Sequence, residues 1–246
     1  MKQIFSILFT VIFTATTFAA DVAADFSAAN KLYARGKFSE AAGSYGKMIQ
    51  AGAVSPALLF NCGNAEFKSG HLGKAIVAYQ QAAQLAPRDA ELRANLGFVR
   101  NQVQGASRSG SRWQNGMGVL TLNESTMITM VLFWLTLGMF AVRQLRPILA
   151  SKLQSTTRIL IVLTIIFITV LGVQAGNHFS NVTAVVVADG ATARSGPFDD
   201  AQSVFIARDG SELSMLNRSD GWVQVVDGTG KSGWLPAKQV EILHGT

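Results

Sequence analysis

Two uninterrupted apolar runs govern what this chain can become. TMITMVLFWLTLGMFAV, residues 126–142, has 17 residues without a charge, and ILIVLTIIFITVLGVQAG, residues 159–176, has 18. Each falls within the lower range for a helix that crosses a bilayer. A buried core helix is the alternative for either run alone, but two such runs around one short basic loop point to a transmembrane hairpin. The loop, residues 143–158, carries Arg143, Arg146, Lys152 and Arg158 and no acid, which by the positive-inside rule puts it in the cytoplasm. Both flanking segments then lie on the extracytoplasmic side. A 49% hydrophobic content and a mean hydropathy of +0.28 suit such a chain, too apolar for an average soluble domain and too polar for a transporter.

The N-terminus makes the same assignment independently. MKQIFSILFTVIFTATTFAA has Lys2, an apolar stretch from Ile4 to Phe13 and small residues up to Ala19 and Ala20, the pattern of a signal peptide over residues 1–20. An uncleaved anchor is the alternative, and it too exports the segment after residue 20. The net charge of +6 is a sum of unlike parts: +5 over residues 21–113, +4 in the loop and −3 from residue 177 onward. Part of it is therefore a topology signal, and no stripe of basic and aromatic residues argues for nucleic acid. A single cysteine rules out an intrachain disulfide framework. The three histidines, His71, His178 and His244, are too far apart in sequence to suggest a metal site, so no cofactor is expected.

Ahead of the hairpin the chain repeats itself at an offset of 34 residues. Ala29 matches Gly63, Gly36 matches Gly70, Phe38 matches Leu72, Ala41 matches Ala75 and Tyr45 matches Tyr79; Asn61 and Gly63 recur again as Asn95 and Gly97. Small residues at 29, 63 and 97 would let paired helices approach closely, and Gly36 and Gly70 would end the first helix of each pair. Pro87, in QLAPRD, stands where a second helix must stop. AGAVSP, with Pro56, breaks the match between the first two copies. This pattern over residues 24–103 resembles the tetratricopeptide repeat, a helix-turn-helix unit of 34 residues, present as two repeats plus a capping helix. Solenoids generally need three or more repeats, so support from the membrane surface, a partner or self-association into a homo-oligomer is expected.

NCGNAEFKSGH, residues 61–71, holds the only cysteine and a histidine, and raises the question of a Cys/His peptidase. The repeat phase assigns Cys62 to the interior of a first helix, where the next copy has Leu96, and His71 to a solvated turn. A buried helical cysteine without a base beside it lacks what nucleophilic catalysis needs. The asparagines carry more interest. In proteins of this type the first helices line a concave groove, and asparagines on them hydrogen-bond the backbone of an extended peptide. The resemblance thus implies partner binding by Asn30, Asn61, Asn64 and Asn95. Solvation, or bonding within the repeat, is the alternative. The cations of the carboxylate-clamp version are absent: Phe26, Glu91 and Asn95 stand in their places.

Residues 104–125 are rich in Gly, Ser and Arg and read as a flexible linker, with Trp113 a candidate for the membrane interface or, equally, for packing on the repeat. Residues 181–244 have short β-branched runs punctuated by Asp-Gly pairs at 189, 209, 220 and 227, the mark of a compact all-β unit. GWVQVVDGTGKSGWLP, residues 221–236, reads as a hairpin with a tryptophan opening each strand. With TARSGP, GSEL and VEIL this segment resembles a bacterial SH3-like domain. Trp222 and Trp234 are its candidate aromatic shelf for a ligand, core packing being the alternative for at least one.

The fold class expected is therefore a multidomain membrane protein: all-α tetratricopeptide repeats, a two-helix hairpin and a small all-β SH3-like barrel. That order resembles the tetratricopeptide protein of the Bacteroides aerotolerance (Bat) operon group. The resemblance implies a non-enzymatic scaffold in the bacterial inner membrane, with both globular domains extracytoplasmic, acting in stress tolerance or envelope-complex assembly. It also implies partners among von Willebrand A-domain Bat proteins and, indirectly, a MoxR-type ATPase. A cell-wall peptide sensor and a Cys/His peptidase are the rival readings.

Overall fold

The computed structural model describes residues 22–104, 120–180 and 182–244. The segment expected to be a signal peptide, most of the expected linker and Trp113 lie outside the described residues. The described chain divides into two compact units. One joins the repeats to the C-terminal β-domain, and the other holds the apolar hairpin.

Five helices make up the repeat region: α1 (22–34), α2 (Phe38–Gln50), α3 (Pro56–Lys68), α4 (Leu72–Leu85) and α5 (Ala90–Gln104). They alternate as first and second helices of the 34-residue period, and the last described one is the first helix of the third copy. Gly36 and Gly70 take φ of +76° and +86° after α1 and α3, the left-handed turn in which a β-carbon would be strained. The small residue at the middle of α3 is required by its neighbour, since a β-carbon on Gly63 would sit 2.7 Å from the Tyr79 ring. Its third-copy counterpart differs: among the described residues nothing lies within 4 Å of a β-carbon on Gly97. Pro56 does not disrupt the first junction. It occupies the first turn of α3, where no amide hydrogen is needed, and Ser55 caps that helix by accepting from the Leu58 amide at 3.1 Å. Tyr45, Met48, Leu58 and Ala65 pack one end of the solenoid, and Ile76, Tyr79, Leu92 and Val99 the other.

The second unit is an antiparallel helix pair, α6 (Leu122–Leu145) and α8 (Gln154–Ser180), with a single turn, α7 (Pro147–Ala150), in the basic connection. A capping box opens α6: Thr121 accepts from the Glu124 amide and Glu124 accepts from the Thr121 amide. Both long helices are apolar enough to cross a membrane, and only 11% and 6% of their apolar windows are buried, which separates them from the core helices of soluble proteins. They meet midway through a Thr136–Thr164 hydroxyl hydrogen bond of 3.0 Å.

The C-terminal domain is a seven-stranded antiparallel sheet: β1 (Val182–Val186), β2 (Ala191–Arg194), β3 (Ser203–Ala207), β4 (Glu212–Ser219), β5 (Trp222–Val226), β6 (Ser232–Pro236) and β7 (Val240–His244), in spatial order β3-β2-β6-β5-β4-β1-β7. Its core is Ala184, Val186, Ala193, Leu213, Val223, Val225, Leu235 and their neighbours. The Asp-Gly pairs fall at the turns as expected: Gly190, Gly210 and Gly221 all have positive φ. The hairpin of β5 and β6 is present, with one correction. Trp222 opens β5, but Trp234 is the third residue of β6, paired with Gln224, because the Asp227–Lys231 turn takes fewer residues before the ladder resumes.

Candidate functional site

The 34-residue period reproduces a hydrogen-bond trio. In the first copy the Tyr45 hydroxyl donates to Asn30 Oδ1 at 2.6 Å, and Asn61 Nδ2 donates to the same oxygen at 3.1 Å. In the second, Tyr79 donates to Asn64 Oδ1 at 2.6 Å and Asn95 Nδ2 to that oxygen at 3.4 Å. Each trio thus ties together a first helix, its second helix and the next first helix. Burial raises the pKa of both tyrosines above the ordinary phenol value, so the hydroxyls stay protonated and able to donate.

All four candidate groove asparagines therefore have partners inside the solenoid. What these bonds leave over is Nδ2 of Asn30 and Asn64, and Oδ1 with one N–H of Asn61 and Asn95. All four residues are half-buried, and an extended peptide would meet only the groups that the trios leave unused. Nothing in the spacing alone distinguished this from a free ladder of asparagines, although the co-repetition of Tyr45 and Tyr79 was the available clue.

Cys62 is 7% exposed, and burial, with Glu66 adding to it, pushes its thiol up to about 12. A thiol held protonated is not a nucleophile. His71 is exposed in the turn that leads into α4, as expected, with its Nδ1 2.7 Å from Glu66 Oε2.

On the β-domain, burial alternates along β5 and β6: Val223, Val225, Gly233 and Leu235 point inward, and Trp222, Gln224 and Trp234 outward. Both tryptophans are half-buried on the outer face, in diagonal register, and neither belongs to the core. Trp222 lines a cleft of about 570 Å³ together with Thr192, Arg194, Asp199, Pro236 and Lys238; Trp234 does not. Arg194 is fixed there by donating to the Ala201 carbonyl at 2.9 Å. Aromatic surface beside two cations and a carboxylate suits a peptide carrying charged termini. Sequence reasoning missed Arg194, Asp199 and Lys238. The alternation in ATAR would have put Arg194 on the outer face, whereas Asp199 and Lys238 come from connections between strands.

Comparison with known families agrees with this architecture in two places. The TPR repeat family matches residues 63–103, and the bacterial SH3 domain family matches residues 187–241. No curated protein matches the chain significantly. Helical repeats and a bacterial SH3 domain both suggest protein–protein interaction or cell-wall binding.

Proposed function

We propose that this chain is a non-enzymatic, membrane-anchored scaffold of the bacterial cell envelope, which holds protein partners through its repeat groove and its SH3-like domain. The observation that carries the reading is the joining of two interaction-type domains by a helix pair whose apolar side chains face outward. Two spans return the chain to the side from which it came, so both domains share a compartment, and the basic connection favours the extracytoplasmic one. The buried, protonated Cys62 supports a binding rather than a hydrolytic role. The order of modules supports the Bat-type setting, with von Willebrand A-domain proteins and a MoxR-type ATPase as the partners to look for and stress tolerance or envelope-complex assembly as the process.

Photo-crosslinking of the full chain in living bacteria, followed by identification of captured proteins, tests the scaffold. Envelope proteins are the expected catch, and a chain that captures none rejects the reading. Asn61→Ala is the suitable groove variant, because it removes one donor while the Tyr45–Asn30 bond persists. Asn64→Ala is unsuitable, since it leaves the buried Tyr79 hydroxyl without its acceptor at a cost of about 1–3 kcal/mol. Capture that falls with Asn61→Ala at an unchanged melting temperature assigns it to the groove. The charged cleft beside Trp222 favours a second reading, a cell-wall peptide sensor. Binding of soluble cell-wall peptides that Trp222→Ala abolishes distinguishes it.

A further inference from the structure

The SH3-like domain buries apolar residues on a side that its own core does not use. Alternation holds along β5, but Ala184, Val185 and Val186 of β1 are all buried in succession. Ala184 and Val186 face the β-domain's own core, whereas Val185, with Leu243 of β7, belongs to the apolar cluster of Ile76, Tyr79, Leu92 and Val99 in α4 and α5. A strand covered on both sides reads as a continuous apolar run, and AVVV, residues 184–187, is one.

The polar contacts around that cluster are specific. The α4 N-terminus has no side-chain cap from its own N-cap residue, His71, and the Asp209 carboxylate of the β3–β4 turn supplies one, accepting from the Gly73 amide at 3.1 Å. Arg100 of α5 grips Glu212 with two nitrogens, at 2.8 and 2.7 Å, and Gln80 Nε2 donates to the same carboxylate at 2.5 Å. Two glycines set the approach. A β-carbon on Gly73 would collide with the Val186 carbonyl, and one on Gly210, which has φ +83°, would lie 2.6 Å from Val103.

We infer that the SH3-like domain is a built-in partner of the repeat domain, docked on the outer α4–α5 face, so that the two modules form one body. Docking supplies apolar cover to α4 and α5, the last described helices of the solenoid, and it does so within the chain. It leaves the ligand surfaces open: none of the residues lining the Trp222 cleft takes part in the contacts named above, nor does any groove asparagine. The body is therefore a permanent two-site adaptor. This holds whatever either surface binds.

The test uses the full chain in detergent micelles. Arg100→Glu and Glu212→Arg, each alone, are expected to speed amide hydrogen exchange across α4, α5 and β1 by about tenfold or more. The double exchange of charge is expected to restore most of the protection. Gln80 can follow it, because its Oε1 is buried without a hydrogen-bond partner among the described residues and can accept from an arginine at 212. Unchanged exchange in the single variants, or no recovery in the double variant, overturns the proposal. Should the single variants unfold throughout, Glu212→Gln decides by the same measurement: it keeps the shape and removes the charge that Arg100 grips, so faster exchange confined to α4, α5 and β1 is expected. Unchanged exchange in that variant overturns intramolecular docking.

Discussion

The body formed by repeats and β-domain and the hairpin unit distribute the same residue types in opposite ways. In the body, Tyr45, Tyr79, Ile76, Val223 and Leu235 are at most 1% exposed. In the hairpin, Met127, Trp134, Leu145 and Ile148 face outward at 63–90% exposure, while Ser125, Thr129, Thr157 and Thr164 are the buried residues. Water drives apolar side chains inward, but a hydrocarbon surrounding has no such preference, and helix association there rests on close packing and hydrogen bonds. The difference supports a lipid environment for the hairpin more strongly than its length does.

The largest way to break this comparison lies in the body. Tyr79→Ala removes a fully buried ring that contacts Gly63 and caps Asn64. A loss of about 3–5 kcal/mol is expected, read as a lower denaturation midpoint. Ile166→Arg reverses the logic at a half-exposed position in α8. In a water-soluble helix it would be close to neutral, and in a span it costs about 2.5–3.5 kcal/mol, read as reduced membrane insertion. Normal insertion would undo the lipid assignment. Thr136→Val with Thr164 intact removes the inter-helix hydroxyl bond, with an expected cost of about 0.6 kcal/mol, measured as helix-pair association in bilayers.

The smallest expected effect is a pH dependence of docking. Burial raises the pKa of the Asp209 carboxyl, opposed by the Gly73 and Leu72 amides and by His71, with Asp189 adding to the rise. A raised folded-state value means that the docked form holds its proton longer than the undocked form. Docking is then tightest below the ordinary carboxylate range and weakens slightly as pH climbs through and just above it. Asp209→Asn keeps the acceptor without the charge and is expected to flatten that slope, seen as pH-independent exchange of the α4 amides.

The features legible in the sequence were those with a local period. Two apolar runs of spanning length, copies 34 residues apart and Asp-Gly punctuation each encode an element within a few residues, and those elements are all present. Cys62 was legible as a packed thiol for the same reason. The asparagines were legible only as positions. Whether an amide faces a ligand or a neighbour depends on what the next helix brings to it, and here Tyr45, Asn61, Tyr79 and Asn95 bring partners. Trp222 and Trp234 were equivalent by residue type, yet strand register alone separates the one that lines a cleft from the one that does not.

The sequence by itself determined the kinds of module and their order, because helix phase, strand alternation and span length are set by neighbours in the chain. Only the tertiary structure decided that the repeats and the SH3-like domain share a core. Arg100 meets Glu212 across 112 positions and Gly73 meets Asp209 across 136, with the whole hairpin between. No local pattern carries such a contact, since the residues that make it become neighbours only after each module has folded.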